Sequence, residues 1–406
     1  MNIAIIGGGA AGFFSAINAK ENYPDANVVI FEKSQKTLSK VKISGGGRCN
    51  VTNGTSSINE LHKAYPRGGK KLKKIFTEFG TLDTINWFES RGVPLYTQDD
   101  SRVFPKSNNS QSIIDCLFNE INKLGISLKL GVGILEIKQE ENQLKLFFKD
   151  EGVEPQLFDK VIVATGGSPR KEGLMWLEKL GHNIEPPVPS LFTFNMPNET
   201  ITKLMGLVAE PTLVSIQGTK LKSTGPLLVT HWGMSGPAIL KLSAFGARIL
   251  KEKNYDFNVQ VNWINEPNNN KIIDEINEII KSHPKKLISN IKPYNLPERL
   301  WNYITEKSEL PSNKIWGELG NKGTNKLVSL LSNDIYRVKG KTTFKEEFVT
   351  CGGISLDSIS LKSMESKACK NLYFSGEVLD IDAITGGYNF QAAWTTGFIA
   401  GKLNKS

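Results

Sequence analysis

The sequence predicts an α/β protein built on a parallel sheet, and three observations carry that prediction. The chain opens on a short apolar run, residues 3–6, which is typical of a buried parallel strand. Residues 13–20 follow with apolar side chains at helical spacing, and a β-branched run follows at 28–31. Near the other end, the run 372–374 again precedes a glycine, an acid and a helical stretch. Both ends of the chain therefore indicate strand–helix units of one parallel sheet.

A glycine-rich turn joins the first strand to the first helix. It has the G-x-G-x-x-G spacing of the dinucleotide-binding fingerprint, and Glu32 stands 20 residues beyond its last glycine. Such glycines let the backbone approach a pyrophosphate, the helix N-terminus offers it unpaired N–H groups, and the acid can accept both ribose hydroxyls. A purely structural glycine turn is the disfavoured alternative. The predicted contacts are Gly7, Gly9, Ala10, Ala11, Gly12, Glu32 and Lys33.

A second glycine-rich stretch covers residues 40–53. Three consecutive glycines suit a close approach of backbone to a flat ligand, and nearby basic side chains can neutralise diphosphate charge. A surface loop is the alternative. The cysteine in this stretch has two interpretations, a redox-active thiol or, preferably, an inert small residue. The predicted contacts here are Lys42, Gly46, Gly47, Arg48, Cys49 and Asn50.

The next part of the chain distinguishes a flavin domain from a plain nicotinamide domain. Two short helices are predicted in 69–91, an amphipathic helix over 113–124, and a β-meander from 134–138 and 144–148. The apolar strand 158–165 then runs into another glycine turn. This order is that of two-dinucleotide-type flavoproteins, which bind FAD. The predicted contacts are the backbone of Ile134 with adenine, and Ala164, Thr165 and Gly166 with the pyrophosphate side.

The C-terminal strand and helix complete the predicted cofactor site. The strand 372–374 ends in a glycine and an acid, and a helix is predicted from Gln391 to Leu403. A helix N-terminus facing the pyrimidine edge of a flavin would stabilise negative charge there. The alternative is an ordinary C-terminal helix that begins with a glycine turn. The predicted contacts are Gly376, Glu377, Asp380, Gly387, Tyr388, Asn389 and Phe390.

An insertion interrupts this domain, because the chain changes character after a proline-rich linker at 186–189. Short strands are predicted at 191–194, 213–216, 227–230 and 257–261, and helical periodicity at 270–332. We therefore predict a discontinuous FAD-binding domain of residues 1–188 and 346–406. The inserted domain, 189–345, combines a β-barrel over about 189–264 with a helical module over about 265–345.

Composition sets the remaining limits. With 39% hydrophobic and 22% charged residues among 406, the chain is an ordinary globular protein of two or three domains. No apolar run has a membrane helix's length and no signal peptide precedes the first strand, so we expect a cytoplasmic protein without a membrane partner. The four scattered cysteines imply neither a metal site nor a disulfide framework. The oligomeric state stays open.

The net charge of +9 has several explanations, which are nucleic acid, an anionic cofactor or a lysine-rich proteome. The local cluster at Lys70, Lys71, Lys73 and Lys74 is more often a solvated helix face than a nucleic-acid patch. We therefore expect no nucleic-acid partner.

Together these stretches resemble the YhiN/BaiN-like family of bacterial flavoproteins, NAD(P)/FAD-dependent oxidoreductases. The resemblance runs nearly end to end, and its most specific motifs are Ser-Gly-Gly-Gly-Arg-Cys-Asn and Gly-Glu-Val-Leu-Asp with Thr-Gly-Gly-Tyr-Asn-Phe-Gln. It implies a FAD domain built from both chain ends. Some members look like NAD(P)H-dependent reductases of unsaturated or oxo substrates, others like amine oxidases. The matching stretches are 7–12, 44–53, 164–167, 230–237, 350–353 and 374–391.

We accordingly predict a FAD-dependent oxidoreductase that transfers a hydride between NAD(P)H or a small organic substrate and flavin N5. His231, set in a glycine-rich motif, is the candidate catalytic acid or base, with a structural role equally open. NADH or NADPH would be a transient donor, because no second complete G-x-G-x-x-G motif is present. The alternatives are a tRNA-modifying or RNA-binding flavoprotein, and a flavin sensor without turnover.

Overall fold

The computed structural model describes residues 1–343 and 349–404, which form two compact units. One unit contains Met1–Ser190 and the C-terminal segment, and the other is Leu191–Thr343. The predicted boundary at 345–346 lies outside the described residues, as does Phe348, which was predicted to begin a strand.

The helices of the described residues alternate with strands in the first unit and cluster in the second. The α-helices are α1 Ala10–Asn22, α2 Ser39–Gly47, α3 Ile58–Leu61, α4 Gly69–Ile75, α5 Thr81–Glu89, α6 Gln111–Lys123, α7 Met175–Glu178, α8 Pro237–Glu252, α9 Asn269–Ser282, α10 Glu298–Lys307, α11 Gly320–Ser332 and α12 Tyr388–Gly401.

The strands of the described residues belong to five sheets, three of them small. Those of the first unit are β1 Asn2–Ile6, β2 Asn27–Glu32, β3 Thr52–Asn53, β4 Leu95–Thr97, β5 Arg102–Pro105, β6 Ser127–Leu130, β7 Ile134–Glu140, β8 Gln143–Phe148, β9 Gln156–Phe158, β10 Lys160–Val163, β11 Ile184–Ser190, β19 Val349–Ile354, β20 Ile359–Ser360, β21 Glu365–Ser366 and β22 Leu372–Phe374. Those of the second unit are β12 Thr193–Asn195, β13 Val208–Ile216, β14 Lys222–Thr230, β15 Gly233–Ser235, β16 Asp256–Asn262, β17 Asp334–Lys339 and β18 Lys341–Thr342.

The main sheet of the first unit confirms the predicted Rossmann-type α/β class. Its order is β20-β21-β22-β10-β1-β2-β6, and the five strands from β22 to β6 are parallel. These strands are apolar because helices cover the sheet, and Ile3, Ile5 and Ile162 are fully buried. The β-meander is confirmed as β7-β8-β9, and α4, α5 and α6 occupy the helical stretches predicted for them.

The second unit contains one antiparallel sheet of order β17-β16-β13-β14-β15-β12-β18 with helices α8 to α11. Its first and last strands, β17 and β18, are successive parts of one segment separated by Gly340, so the sheet curls. The link from β12 to β18 consists of the pairs Thr193–Thr342 and Phe194–Lys341, and a fully closed barrel is not seen in the described residues.

Three details differ from the sequence predictions. The supposed linker at 186–189 lies within strand β11, which pairs with β19 and tolerates its prolines at an irregularity between Glu185 and Val188. Residues 334–342, predicted as part of the helical module, form strands β17 and β18. Helix α8, with a proline at its first turn, was missed inside the stretch predicted to be all strands.

A buried carboxylate ties the helices of the second unit to its sheet. Asp334, at the start of β17 and 1% exposed, accepts hydrogen bonds from Lys307 Nζ (2.5 Å) and Trp263 Nε1 (3.0 Å). The hydroxyl of Tyr336 donates to the same carboxylate. A buried charge needs all of these donors, because burying an ion without hydrogen bonds costs several kcal/mol.

We expect Tyr336→Phe to lower the free energy of unfolding by about 1.5–3 kcal/mol, because it removes one donor to a buried carboxylate. Urea denaturation followed by intrinsic fluorescence measures the change. The matched control is Tyr294→Phe, a half-buried tyrosine of the same unit, which should cost less than about 0.5 kcal/mol. Equal effects of the two substitutions would show that the Asp334 network does not stabilise the unit.

Candidate dinucleotide-binding site

The first glycine turn is packed so tightly that side chains are excluded from it. Gly7 has φ +116°, and a Cβ there would overlap the carbonyl of Ala164 at the end of β10. A Cβ on Gly12 would overlap the carbonyl of Gly7. At Gly9, by contrast, a Cβ would meet nothing within 4 Å. The turn is therefore closed on its inner side and open at Gly9, where a ligand can approach the backbone.

Helix α1 begins at this turn with its N-terminus uncapped. Gly9 is the N-cap residue and makes no side-chain hydrogen bond, and the first turn contains no acidic residue. The N–H groups of the first turn of an α-helix have no partner within the helix. Ala10 and Ala11 thus present backbone donors at the positive end of the helix dipole, an arrangement that binds phosphate.

Glu32 lies directly beside the turn. Its Oε2 accepts from the N–H of Gly8 (2.7 Å) and its Oε1 from the N–H of Ser34 (2.8 Å). Each carboxylate oxygen has a second lone pair, so both can still accept a ribose hydroxyl. The carbonyl of Glu32 accepts from the N–H of Val132 at 2.9 Å, which places the start of β7 at Ile134 next to this position. Lys33 is exposed.

The second glycine stretch forms the irregular end of α2. The backbone leaves the helix at Ser44, and Gly45 and Gly46 adopt left-handed conformations. A Cβ on Gly45 would come within 2.8 Å of the Phe104 ring, whereas Gly46 and Gly47 face open space. This arrangement resembles that of the first turn, with a packed side and an open side.

The basic side chains of this stretch have specific partners. The Arg48 guanidinium lies over the Phe104 ring, 4.2 Å from its centre, and Nε donates to the carbonyl of Gly45. Lys42 Nζ donates to Gln111 at 2.8 Å. Lys40, which sequence reasoning did not name, pairs with Glu377 at 2.6 Å. The orientation of α2 decides which lysine points to the strand ends, and the sequence does not reveal it.

Cys49 is structural by its surroundings. It is fully buried, its N–H donates to the carbonyl of Ser44, and burial raises the pKa of its thiol to about 12. Nucleophilic and redox chemistry requires the thiolate. The interpretation as an inert small residue therefore agrees with the geometry.

Asn50 joins the second glycine stretch to the start of α12. In the amide orientation that satisfies its neighbours, its nitrogen donates to the carbonyls of Thr52 (2.9 Å) and Val103 (3.2 Å). Its oxygen accepts from the N–H of Gly387 at 2.9 Å. Gly387 lies so close to β3 that a Cβ would overlap the carbonyl of Thr52. The second glycine stretch and the N-terminus of α12 are thus held together.

The N-terminus of α12 is the second uncapped helix start of the site. Gly387 is its N-cap residue without a side-chain hydrogen bond, and its first turn has no acid. The side chains that follow have structural partners. Asn389 exchanges two hydrogen bonds with Ala383 (2.9 and 3.1 Å), and Phe390 stacks on Trp394. The carbonyl of Tyr388 accepts from a buried tyrosine hydroxyl at 2.6 Å.

The ends of β10 and β22 lie beside the first turn. A Cβ on Gly376 would come within 2.7 Å of Ala11, so the end of β22 touches the start of α1. The carbonyl of Ala164 and the backbone of Thr165 pack against Gly7, whereas Gly166 faces open space.

The acids predicted for this region bind backbone groups across from β19. Glu377 Oε1 accepts from the N–H of Thr350 (3.0 Å), and Asp380 Oδ1 accepts from the N–H of Gly352 (2.8 Å). The hydroxyl of Thr350 is buried without a partner among the described residues and lies against Gly167. A buried polar atom without a protein partner is expected where a ligand supplies the missing hydrogen bond.

Helices α1 and α12 run parallel in close contact. A Cβ on Gly397 would lie 3.1 Å from the Ala11 carbonyl, and one turn later a Cβ on Gly401 would lie 2.6 Å from Asn18 Cβ. Counted from the two helix starts at Ala10 and Tyr388, these contacts displace α12 by five to eight residues, which corresponds to roughly 8–12 Å at about 1.5 Å per residue. Two positive helix ends thus point the same way, one displaced along the axis from the other.

A buried ion pair that sequence reasoning missed supports the loop before α12. Asp382, 0% exposed, accepts from Arg67 Nε (2.5 Å), a second Arg67 nitrogen and the hydroxyl of Ser190 (2.7 Å). Burial raises the pKa of Asp382 to about 6, against Arg67 and Ser190, which lower it. In the sequence, the only indication of this ion pair is an acid inside the C-terminal glycine motif.

His231 belongs to the other unit. It is exposed in the turn between β14 and β15, and its ring lies edge-on to Trp232 at 4.2 Å. Its catalytic role stays a prediction.

The residues of the first unit suit FAD. Open-faced glycines at two turns, two uncapped helix ends, a ribose-accepting carboxylate and an unpartnered buried hydroxyl match a long dinucleotide with a flat end. The fold is the Rossmann-type FAD-binding fold of flavin-dependent oxidoreductases.

The chain belongs to the family described as HI0933-like protein Rossmann domain, whose model matches residues 1–403. This confirms the resemblance noted in the sequence. The chain is 27% identical to a 3-dehydro-bile acid delta(4,6)-reductase of Clostridium scindens, over 98% of each chain. It is also 27% identical to a ribosomal RNA dihydrouridine synthase of Escherichia coli, over 97% of this chain and 95% of the relative.

Solved structures show the same fold at low identity. A 3-ketosteroid delta1-dehydrogenase from Sterolibacterium denitrificans superposes with a TM-score of 0.53 at 11% identity, covering 100% of this chain and 99% of that one. Among the described residues, no helix is long and apolar enough to span a membrane.

Two glycine substitutions separate ligand binding from folding. Gly12→Ala should cost more than about 2 kcal/mol of stability, because its Cβ overlaps the Gly7 carbonyl. Gly9→Ala should cost less than about 1 kcal/mol, yet weaken FAD binding at least about tenfold, because its Cβ enters the open side of the turn. Thermal unfolding of the apoprotein and FAD fluorescence titration measure the two effects. Unchanged FAD affinity in Gly9→Ala would place the pyrophosphate elsewhere.

The raised pKa of Asp382 predicts a pH-dependent stability. The folded state holds the Asp382 proton more tightly than the unfolded chain does, because an unfolded aspartate has a pKa of about 3.9 and the folded one a pKa of about 6. The contribution of this group to stability is therefore greatest below about pH 3.9. It is lost as the pH rises through about 6. The unfolding free energy of the parent minus that of Asp382→Asn should fall by up to about 3 kcal/mol between about pH 4 and 7.

The control is Asp357→Asn, at an exposed carboxylate whose pKa is lowered by its hydrogen bond to Lys71. Its parent-minus-variant difference should not fall over the same range, because the sign of the shift is opposite. A flat difference for Asp382 would mean that this carboxylate stays ionised across the range.

Proposed function

We propose that this chain is a FAD-dependent reductase that saturates a carbon–carbon double bond conjugated to a carbonyl, with NADH or NADPH as hydride source. The observation that carries the cofactor assignment is the pair of uncapped, parallel helix ends, displaced along the axis by roughly 8–12 Å, with open-faced glycines at both turns. When bound, FAD supplies a ring nitrogen, N5, that accepts a hydride from one substrate and delivers it to another.

The chain's residues would hold this group mainly through backbone. Glu32 would accept the ribose hydroxyls, and the N–H groups of Gly9 to Ala11 would donate to the pyrophosphate. The open sides of Gly46 and Gly47 would allow the flat end to lie against backbone. Lys40, Glu377 and the Thr350 hydroxyl lie where the ribityl side would pass, beside the strand ends.

Helix α12 would provide the electrostatic contribution. Its first-turn N–H groups, from Tyr388 to Phe390, form a positive end without a competing acid. Such an end stabilises negative charge on a neighbouring group by roughly 0.3–2 kcal/mol. A bound flavin would gain negative charge at its pyrimidine edge on reduction, and the α12 N-terminus would stabilise that charge.

The nicotinamide donor would bind transiently. The sequence contains no second complete G-x-G-x-x-G motif, so a dedicated nucleotide domain for NADH or NADPH is not encoded in it. Hydride donor and double-bond substrate would then bind in turn, which predicts ping-pong kinetics.

The names of the relatives support the substrate class. The Clostridium scindens relative is named as a delta(4,6)-reductase of a 3-dehydro-bile acid, and the Escherichia coli relative as a dihydrouridine synthase. Both names denote saturation of a carbon–carbon double bond conjugated to a carbonyl, which requires a hydride at the electrophilic end of the conjugated system and a proton at a carbon nearer the carbonyl. His231 is our candidate for the proton donor, on the sequence motif alone.

A second candidate substrate is a uracil base in ribosomal RNA. The name of the Escherichia coli relative and the net charge of +9 favour it. The chemistry is the same saturation of a conjugated double bond, so the two candidates differ in what surrounds the reacting ring and not in the use of the cofactor.

The decisive experiment follows the visible spectrum of the purified protein without oxygen. We expect a yellow protein that NADH or NADPH bleaches within the turnover time and that a conjugated enone or a uridine-containing RNA then recolours. An amine, such as a primary alkylamine, should not bleach it. The two acceptors, tested separately, distinguish a small-molecule reductase from an RNA reductase.

Clear outcomes would overturn the proposal. A colourless protein that takes up no FAD removes the cofactor, and bleaching by amines but not by NADH or NADPH identifies an oxidase. His231→Ala tests the proton donor, because a fully active, FAD-loaded variant removes that residue from the mechanism. The control His283→Ala changes another exposed histidine of the same unit and should leave turnover intact.

A further inference from the structure

Lysines from three separate segments converge on the first unit. Lys71 Nζ on α4 pairs with Asp357 at 2.6 Å, and Lys367 Nζ donates to the carbonyl of the same residue at 3.0 Å. Lys402, just after α12, pairs with Glu78 at 2.9 Å. These contacts bring α4, the 357–370 segment and the end of α12 to one surface.

The electrostatics of the two carboxylates show how dense the positive charge is. The pKa of Glu78 is lowered by its hydrogen bond to Lys402, with Lys362 and Lys74 contributing in the same direction. The pKa of Asp357 is lowered by Lys71 and then by Lys367. Each carboxylate is therefore shared by more than one lysine.

We define the basic face by its seven lysines, all exposed or half-exposed: Lys70, Lys71, Lys73, Lys74, Lys362, Lys367 and Lys402. The acids near these lysines are Glu78, Asp357 and, farther along the 357–370 segment, Glu365. Glu365 already accepts from the N–H of Asn371 and from Asn404. The acids neutralise less than half of the lysines, so the face carries a local excess of positive charge.

The basic face adjoins the loop that leads to the flavin-side helix. Gly68, the N-cap of α4, is so close to this loop that a Cβ would lie 3.0 Å from Ile381 and 3.4 Å from the carbonyl of Asp380. The preceding residue, Arg67, forms the buried pair with Asp382. Helix α4, which carries four of these lysines, thus begins directly after the Arg67–Asp382 pair that supports the loop before α12.

We propose that the basic face binds the phosphate backbone of RNA and docks a structured ribosomal RNA on the first unit. This inference rests on the second candidate function, the reduction of a uracil base. Lysines are point charges that contact phosphates without sequence preference, and they position a nucleic acid that other groups read. A single run of lysines on a helix is usually only solvated, but three converging segments with fewer acids than lysines form a surface that suits an anionic partner.

A membrane surface fits this face less well. Binding to anionic lipid commonly combines lysines with apolar side chains that enter the bilayer. Along α4 and the 357–370 segment the large apolar residues Leu72, Ile75, Ile359 and Met364 are buried, and Leu361 is half-buried against the core. The face therefore presents charge without an apolar anchor, as phosphate-backbone contacts require.

The test uses the full-length, FAD-loaded protein and deproteinised total ribosomal RNA as the probe, in filter binding at several salt concentrations. The variant Lys70→Gln, Lys73→Gln, Lys74→Gln and Lys362→Gln removes four charges. The matched control is Lys253→Gln, Lys285→Gln, Lys286→Gln and Lys322→Gln, four exposed lysines of the other unit.

The basic-face variant should bind at least about tenfold more weakly and lose about 2–3 from the slope of log affinity against log salt. The control should match the parent.

Equal losses in the two variants would show that net charge and not this face governs binding. No loss in the basic-face variant would show that these lysines do not contact the RNA, and either result overturns the proposal. Phosphatidylglycerol vesicles provide the membrane arm, and a variant that loses vesicle binding while keeping RNA affinity contradicts the proposal. Bleaching by NADH or NADPH should be unchanged in both variants, because none of these lysines lies in the cofactor site. If bleaching fails in the parent protein while the RNA result holds, the reductase proposal is wrong and the docking face stands.

Discussion

The exclusion of side chains around α1 is the constraint on which the FAD-binding unit depends. The helix is pressed against the end of β10 through Gly7 and Gly12, and against α12 through Gly397 and Gly401. Two glycine contacts one turn apart fix α12 parallel to α1 and set its displacement along the axis. Because both helices begin without caps, the packing of two apolar surfaces also decides where two positive ends stand. The contact between α1 and α12 therefore determines both how the core packs and where the two positive helix ends lie.

Local pattern explains why so much of this unit could be predicted. The first turn, Glu32 and the β-meander each depend on residues close in sequence, and the physical rule that governs them acts within one βαβ unit or hairpin. Helix α8 obeyed such a rule as well, since Gly236-Pro237 before an apolar periodic stretch is a helix start. It was missed because the surrounding strands favoured an all-β interpretation.

The remaining features depend on contacts between distant segments. Arg67 and Asp382 are 315 residues apart, and no periodicity links them. The choice of Lys40 over Lys42 as the partner of Glu377 depends on how α2 turns after the first glycine turn. The strand at 334–342 lies beyond three helices and completes a sheet whose other strands end before residue 263. In each case the tertiary partner, and not the local sequence, gives the residue its role.

A cofactor site made largely of backbone, as proposed for this chain, is compatible with different substrates in related proteins. Relatives with the same identity to this chain, 27% in both cases, are named for a bile acid and for dihydrouridine in ribosomal RNA. In the proposed site, backbone donors, missing Cβ atoms and helix ends would hold the cofactor in a way that side-chain replacement elsewhere leaves unchanged. Substrate choice must then lie in groups outside that cradle, such as charged surfaces that favour an anion or apolar ones that favour a steroid. The docking proposed for this chain would use the excess positive charge beside the loop of Asp380 to hold an anion.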